Sequence, residues 1–440
     1  MPANLESTLE EICRAGLAAV DPEKAVRRYF REANPDLSKY RRIFLAGFGK
    51  AGFPMAKAVE DITGDRLAEG LIVVKDGHGG DLSKTGIVEA SHPEPDARGE
   101  KGAEAIVGML SKNTGPEDLV IVLVSGGGSA LLPLPARGIT LKDKQKTTRE
   151  LLSCGAEIQE INAIRKHISR VKGGQLLRSV NGASVLSLVL SDVIGDDLSA
   201  IASGPTSADP TTYRDCLEII DSYQIRDMLP PNVISHLENG SQGGSGAPPE
   251  TIKPGDLPPG RVNNVIVANN RLALEAAAEQ ASLSGFRPLI LSSSLSGDTR
   301  ELAGFHVSMA AEIMGGGHPV PAPCCLVSGG ESTVKLQGSG KGGRNMEFTL
   351  ECARLIDQWQ DAPVLFASLG TDGTDGPTDS AGAMVTPATL VKARELGLST
   401  RDYLARNDSY NFFKPLEGLI VTGPTRTNVM DLHIVLVGKS

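Results

Sequence analysis

The chain has 440 residues, with 44 lysines and arginines against 53 aspartates and glutamates, for a formal charge of −9. Its 40% hydrophobic and 22% charged content is that of a folded protein of about two or three ordinary domains, which excludes disorder as its main state. One Trp, six Tyr and ten Phe offer few stacking platforms, and the acidic balance lacks the clustered cations a phosphate backbone demands; both weaken a nucleic-acid reading, and no nucleic-acid partner is expected. Six scattered cysteines without a CxxC pair read as free thiols in a reducing compartment. The N-terminus lacks an apolar signal segment, and the most apolar stretch, 119–136, is broken by glycines and prolines. The expectation is a cytoplasmic protein that does not span a membrane.

Short runs rich in Val, Ile and Leu alternate with amphipathic stretches, which predicts an α/β fold of two domains, each an open, mostly parallel sheet flanked by helices. The first strand, 42–46, runs into Gly47-Phe48-Gly49-Lys50-Ala51-Gly52, which satisfies GxGxxG and is trailed by Asp76 after the strand 71–75. Lys50 is unusual for a dinucleotide fingerprint. An ammonium inside this turn suits a transferring phosphoryl group at least as well. Strands 87–90 and 119–124 follow, with a helix over 98–110 between them. The second strand ends in Ser125-Gly126-Gly127-Gly128-Ser129, a backbone-accessible turn at a strand's C-terminal end, where ligands of open α/β sheets sit. A helix over 143–152 leads to the polar, cationic run NAIRKHISRVKGG, in which Asn162, Arg165, Lys166 and Ser169 share helical spacing. After the strand 187–190, Asp192, Asp196 and Asp197 crowd one loop. The Gly/Pro/Ser-rich segment 241–260 reads as a linker between an N-terminal domain, 1–240, and a C-terminal domain, 261–440.

Beyond it, strands are expected at 264–268, 288–291, 324–327 and 364–368, and helices at 271–283, 299–314 and 344–356. Gly338-Ser339-Gly340-Lys341-Gly342-Gly343 followed by Arg344-Asn345 is a second lysine-bearing glycine loop, able to wrap an anion while Arg344 offers a planar fork. Asp372, Asp375 and Asp379 lie in a Gly-rich loop after the last of these strands, and 418–438 reads as two strands around a turn. Carboxylates beside lysine-bearing glycine loops fit a metal held between nucleotide phosphates and a base for an attacking hydroxyl. No GxSxG elbow or HExxH pattern is present.

With FGKAG (48–52), SHPEPD (91–96), SGGGSALL (125–132), NAIRKHISRVKGG (162–174), SDVIGDDLSAIASGPT (191–206), SGGESTV (328–334), GKGGRNMEF (340–348), GTDGTDGPTDSAGA (370–383) and TGPTRTNVMDL (422–432) in this order, the chain closely resembles the glycerate 2-kinase family, whose C-terminal part is called the MOFRL domain. One departure is Arg426, where TGPTGTN would carry glycine. The resemblance implies transfer of the ATP γ-phosphoryl group to the 2-hydroxyl of D-glycerate with Mg2+, a Rossmann-like larger domain, and an active site in the cleft between the domains. It marks Lys50 and Arg344 as catalytic. Asp192 is expected at the reacting hydroxyl or, with Asp197, at the metal. Gly47, Gly49, the turn from Ser125 to Ser129 (with Gly126, Gly127 and Gly128), Lys341, Gly342, Gly343 and Asn345 are expected on the nucleotide, and Arg165, Glu331, Asp372 and Asp375 on the acid. The expected partners are D-glycerate and ATP alone, in a monomer or homodimer. Two other readings stay open: an NAD(P)-dependent hydroxypyruvate reductase, from the fingerprint, and a sugar-acid sensor without turnover.

Overall fold

A computed structural model describes residues 5–257 and 259–439. They fall into two compact units, one formed by Pro22–Val267 and the other by the described residues up to Asp21 together with those from Ala268 onward. The first helix, α1 (Leu5–Ala19), therefore belongs with the C-terminal half.

The sheet of the Pro22–Val267 unit comprises β1 (Ile43–Phe48), β2 (Leu67–Lys75), β3 (Thr85–Ala90), β4 (Leu119–Val124), β5 (Ser184–Leu190) and β6 (Val262–Ala268), in the order β3-β2-β1-β4-β5-β6. This is the order of a doubly wound Rossmann sheet, and the pairings of β1 with β2 and β4, of β2 with β3 and of β4 with β5 are parallel. IFLAGF and LVIVLV are buried along their whole length, so these central strands show no polar alternation. The strand order reverses between β1 and β4, which puts the loops after them at the topological switch point. Around the sheet run α2 (Pro22–Ala33), α3 (Gly52–Thr63), α4 (Ala97–Asn113), α5 (Gly128–Leu131), α6 (Leu141–Ser153), α7 (Ile158–His167), α8 (Tyr213–Ser222) and α9 (Pro231–Gln242). Asp96 starts α4 by accepting from the Arg98 and Gly99 amides, and Thr140 with Asp143 forms a capping box at α6. Phe44, Ile106, Leu110 and Val122 pack the sheet side, while Leu151, Ile164, Ile220 and Leu237 join α6 to α9 in a separate helical cluster.

The expected linker is not a free tether. Ile252 N donates to Gly173 O at 3.0 Å and Ile252 O accepts from Asp209 N at 2.7 Å, while Thr251, 1% exposed, bonds Asp209 Oδ2 at 3.0 Å. Backbone pairing of this kind fixes a segment whatever its glycine and proline content, and Val262–Ala268 then returns as the edge strand β6.

The other unit carries β7 (Arg287–Asp298), β8 (Cys324–Thr333), β9 (Val364–Gly370), β10 (Gly382–Val385), β11 (Leu419–Ile420) and β12 (Asp431–Val437), in the order β11-β10-β9-β12-β8-β7. Here the α/β expectation holds but strand direction differs from a parallel sheet. Among the described residues of this unit only β7 and β8 pair in parallel, and the β10–β11, β9–β10, β9–β12 and β8–β12 pairings are antiparallel. β12 enters between β9 and β8 and is buried throughout, so its apolar run looks the same as that of a parallel strand. Its helices are α10 (Asn270–Leu283), α11 (Thr299–Gly316), α12 (Arg344–Leu355), α13 (Pro387–Glu395), α14 (Thr400–Ala405) and α15 (Ser409–Phe413), with α1 against α10. Leu9 and Ile12 of α1 are buried, and a Cβ on Gly16 would stand 3.2 Å from Ala273 O, so the helices meet at a small residue. Phe348, Phe366 and Phe412 anchor the core of this unit. No described helix is long and apolar enough to cross a membrane, and all six cysteines are free.

Candidate active site

In the Pro22–Val267 unit the two switch-point loops interlock. Gly49, at φ 125°, brings its backbone so close to Ser125 that a Cβ would lie 2.2 Å from Ser125 Oγ. The amides of the fingerprint are spent inside the protein. Gly49 N donates to Val73 O, Lys50 N to Gly126 O, Ala51 N to Ser125 Oγ and Gly52 N to Gly49 O, all at 2.9–3.1 Å. Gly47 lies inside β1, where a Cβ would stand 2.8 Å from Ile72 Cγ2, so its missing side chain serves sheet packing. Asp76, the acidic end of the fingerprint, is held by both terminal nitrogens of Arg98 at 2.7 and 2.9 Å. The Lys50 ammonium, by contrast, has no partner among the described residues. Its stem runs beside Gly127, whose Cβ would lie 3.5 Å from Lys50 Cγ and 2.9 Å from His92 Cδ2. The amides of Gly126 and Gly127 likewise find no backbone acceptor among the described residues. Gly128 packs on Ala202, and Ser129 Oγ shares a hydrogen bond with Ser203 Oγ at 2.9 Å.

A pocket of about 440 Å³ opens next to this point, lined by His92, Gly127, Ser129, Lys144, Arg165 and Lys172 among others. Burial, reinforced by the Lys50 charge, lowers His92 to about 4, so its ring is neutral near pH 7. Burial also lowers Arg165, which has no hydrogen bond or ion pair among the described residues. The other members of the expected helical face have structural partners: Lys166 pairs with Asp209 at 3.1 Å, Asn162 Oδ1 accepts from Ser203 Oγ, and Ser169, outside α7, donates to Leu134 O. Lys172 belongs to the cationic run NAIRKHISRVKGG, which the sequence marks as a grip for a carboxylate or phosphate, whereas Lys144 and His92 were not among the candidates; His92 lies within SHPEPD, but Lys144 sits in an ordinary polar helix and carries no local signal.

Asp192 and Asp197 follow β5 in the same unit. Asp197 holds the Ser199 amide at 2.8 Å and its hydroxyl at 3.0 Å, and Asp192 is half-buried with a partner of its own. No group of three or more His, Cys, Asp or Glu side chains arranged to hold a metal occurs among the described residues. Hard oxygen donors of this kind suit Mg2+, which binds through one or two carboxylates plus substrate phosphates.

In the other unit Arg344 opens α12. Its Nε and NH2 bond Asp431 at 2.6 and 3.0 Å, and its NH1 bonds Glu331 at 2.6 Å. Burial alone would lower this guanidinium, but Asp431 and Glu331 outweigh it and hold it above its ordinary value. Of the five guanidinium N–H groups, two remain for a ligand. Glu331 is thus a partner of Arg344 before it is a ligand of the acid. Asp375, 3% exposed, accepts from the Asn345 and Met346 amides at 3.1 and 2.8 Å and caps α12, and burial raises it to about 7. Asn345, expected on the nucleotide, is 1% exposed and donates to Asp431 at 2.9 Å. Asp372 closes its own turn on Thr374.

The second glycine loop is packed, with its glycines serving close backbone approach. Gly340 N donates to Arg406 O and Lys341 N to Asp408 Oδ1, both at 2.9 Å, and the Lys341 ammonium lies 4.1 Å over the Tyr410 ring. A Cβ on Gly342 would stand 2.2 Å from Ser409 Oγ, and one on Gly343 2.3 Å from Asp375 Oδ1. The sequence reading also missed Asp431, the fully buried partner of Arg344, although a charge opening the apolar run DLHIVLV marks it.

Residues 8–238 match a family described as a domain of unknown function (DUF4147), and residues 324–431 match the MOFRL family. Glycerate 2-kinase of Pyrococcus horikoshii is 42% identical over 397 residues, covering 90% of this chain and 87% of its own. A putative hydroxypyruvate reductase of Agrobacterium vitis is also 42% identical, over 98% of this chain and 94% of its own. The crystal structure of glycerate kinase from Thermotoga maritima has the same fold at a TM-score of 0.90 and 37% identity, covering 99% of this chain and 100% of that one. The chain belongs to the glycerate kinase family.

Proposed function

We propose that the protein transfers the γ-phosphoryl group of ATP to the 2-hydroxyl of D-glycerate, giving 2-phosphoglycerate and ADP. The observation that carries this reading is Lys50: an ammonium without a protein partner, set at the sheet's switch point against a glycine turn with unspent amides. Phosphoryl transfer needs little covalent chemistry from the protein and much placement of positive charge around the equatorial oxygens. Lys50 supplies a point charge to them. Arg344, fixed by two carboxylates with two N–H groups to spare, supplies a planar donor. Arg165 is the guanidinium that meets an anionic group of the acid.

Asp192 is the proposed base that accepts the hydroxyl proton, and Asp192 with Asp197 is the proposed protein contribution to Mg2+. Bound on the nucleotide, the ion would neutralise phosphate charge.

The reductase reading draws on the name of the Agrobacterium relative and on the GxGxxG spacing. A pyrophosphate on that turn needs free amides, and a ribose needs a free carboxylate after β2. Here the four amides and Asp76 are already bonded. The experiment offers the protein D-glycerate with ATP and Mg2+, and separately hydroxypyruvate with NADH. ADP release with a 2-phosphate product by phosphorus NMR is expected. NADH oxidation without ADP release would overturn the reading.

A further inference from the structure

The pocket beside Lys50 has the wrong electrostatics for a protein interior. Lys144 is 4% exposed and Lys172 0%, and together with Arg165 they line one cavity. None of the three has a carboxylate within ion-pair distance among the described residues. Among the described residues, the Lys144 Nζ is buried with no hydrogen-bond partner, and the Lys172 Nζ has only the Ala202 carbonyl, at 3.1 Å. Glu100 on α4 acts on Lys144 from beyond that distance. Unpaired buried cations are among the costliest groups a fold can hold, and the half-buried Arg165 adds a third like charge that repels the two buried lysines. Packing gives no return for such an arrangement. An anionic ligand does.

Charge and size narrow the ligand. The carboxylate of a hydroxy acid would match one charge of three, whereas a phosphoryl group brings about two negative charges near neutral pH and three strong acceptor oxygens. The cavity, at about 440 Å³, is large for a three-carbon acid, and its lining also includes the apolar Pro93, Pro95 and Leu152. Gly127 belongs both to this cavity and to the surface against which the Lys50 stem lies. An anion here is therefore next to the proposed point of transfer.

We infer that Lys144, Arg165 and Lys172 form a binding site for a phosphate-bearing anion, with Lys144 setting its affinity. The site stands on its own geometry; identifying the anion as the nucleotide's polyphosphate or as the phosphorylated acid rests on the kinase reading. Burial lowers Lys144 to about 7, with Arg165 adding to the effect, and pushes Lys172 well below its ordinary value, with Lys144 and Arg165 adding there. An anion among them restores the charged forms, so binding takes up protons and weakens as pH rises above neutral.

The test is calorimetric titration of the full chain with inorganic tripolyphosphate, ADP, 2-phosphoglycerate and glycerate, for the native protein and for Lys144→Met. Lys142→Met, an exposed lysine of the same helix, is the control. The expected result is a loss of at least about tenfold in affinity for the phosphate ligands in Lys144→Met alone, with glycerate moving less than about threefold. A loss confined to ADP and tripolyphosphate assigns the pocket to the nucleotide, and one confined to 2-phosphoglycerate assigns it to the phosphorylated acid. Unchanged affinity for all three phosphate compounds, or an equal loss for glycerate, overturns the site. Lys144→Met should also melt higher than the native protein, since it removes an unpaired buried charge, and a lower melting point would contradict the assignment. If native protein binds these anions but releases no ADP from ATP with glycerate, the kinase reading fails while the site stands.

Discussion

Arg344 is held from three directions: Asp431 grips two nitrogens, Glu331 a third, and Asp375 fixes the first turn of the helix that carries it. Replacing Arg344 by Lys removes the fork and leaves the fully buried Asp431 without its paired donors, so turnover should fall by about two orders of magnitude or more. Near-normal kcat in steady-state assay would show the arginine to be peripheral. Asp375→Ala should lower stability by about 1–2 kcal/mol in urea unfolding, the usual cost of a lost cap, and should lower kcat more than it raises KM, because Arg344 loses its support. Lys144 gives a pH signature. Its folded value, about 7, lies below the ordinary lysine value, so between them the unfolded chain binds the extra proton and stability rises with pH. Thermal melts from neutral to alkaline pH should show this rise, reduced in Lys144→Met, while anion affinity falls over the same interval. A flat profile in the native protein would contradict the buried, unpaired state. Of these residues, only those in glycine-rich or densely charged runs stood out in the sequence. Asp431 and Lys144 are separated in the chain from the groups they serve, and burial, which gives them their meaning, is invisible without tertiary contacts.

At the scale of elements, the glycine loops show how a motif can be correctly located and still carry a different physics. GxGxxG follows a strand and opens a helix as its spacing predicts, but its amides bond to Val73, Gly126, Ser125 and Gly49, and its glycines let two turns touch. Gly49→Ala places a methyl against Ser125 at a backbone angle that disfavours any side chain, and should cost on the order of 2–4 kcal/mol in urea unfolding. A cost below about 0.5 kcal/mol would mean that the turns are not locked together. Strand and helix positions were largely legible because apolar runs and helical spacing are local properties. β10 was missed because four residues, Gly382–Val385, carry too little pattern. The final stretch does hold two strands, yet β11 pairs with β10 while β12 runs between β9 and β8, since partner choice depends on the whole sheet. Arg426, where the resemblance leads one to expect glycine, has a left-handed conformation, φ 61°, which carries backbone strain for a residue with a side chain.

Across the whole chain, the division of residues follows packing over sequence order. α1 buries Leu9 and Ile12 in the unit built from the C-terminal half, and 241–260 is bonded into the other unit through Thr251 and Ile252. A fragment ending at 240 would leave α1 without α10 and the sheet without β6, so it should express as an unstable species, whereas a 22–267 fragment should unfold cooperatively. The converse behaviour would show that this division is not the one that governs folding. Function turns on Lys50, whose ammonium has no partner among the described residues. The direct measurement is the rate of ADP and 2-phosphoglycerate formation by Lys50→Ala at saturating ATP and D-glycerate, with its melting temperature taken in parallel. The structure predicts a fall in kcat of about a hundredfold or more at unchanged stability; a folded variant that turns over at the native rate would contradict it.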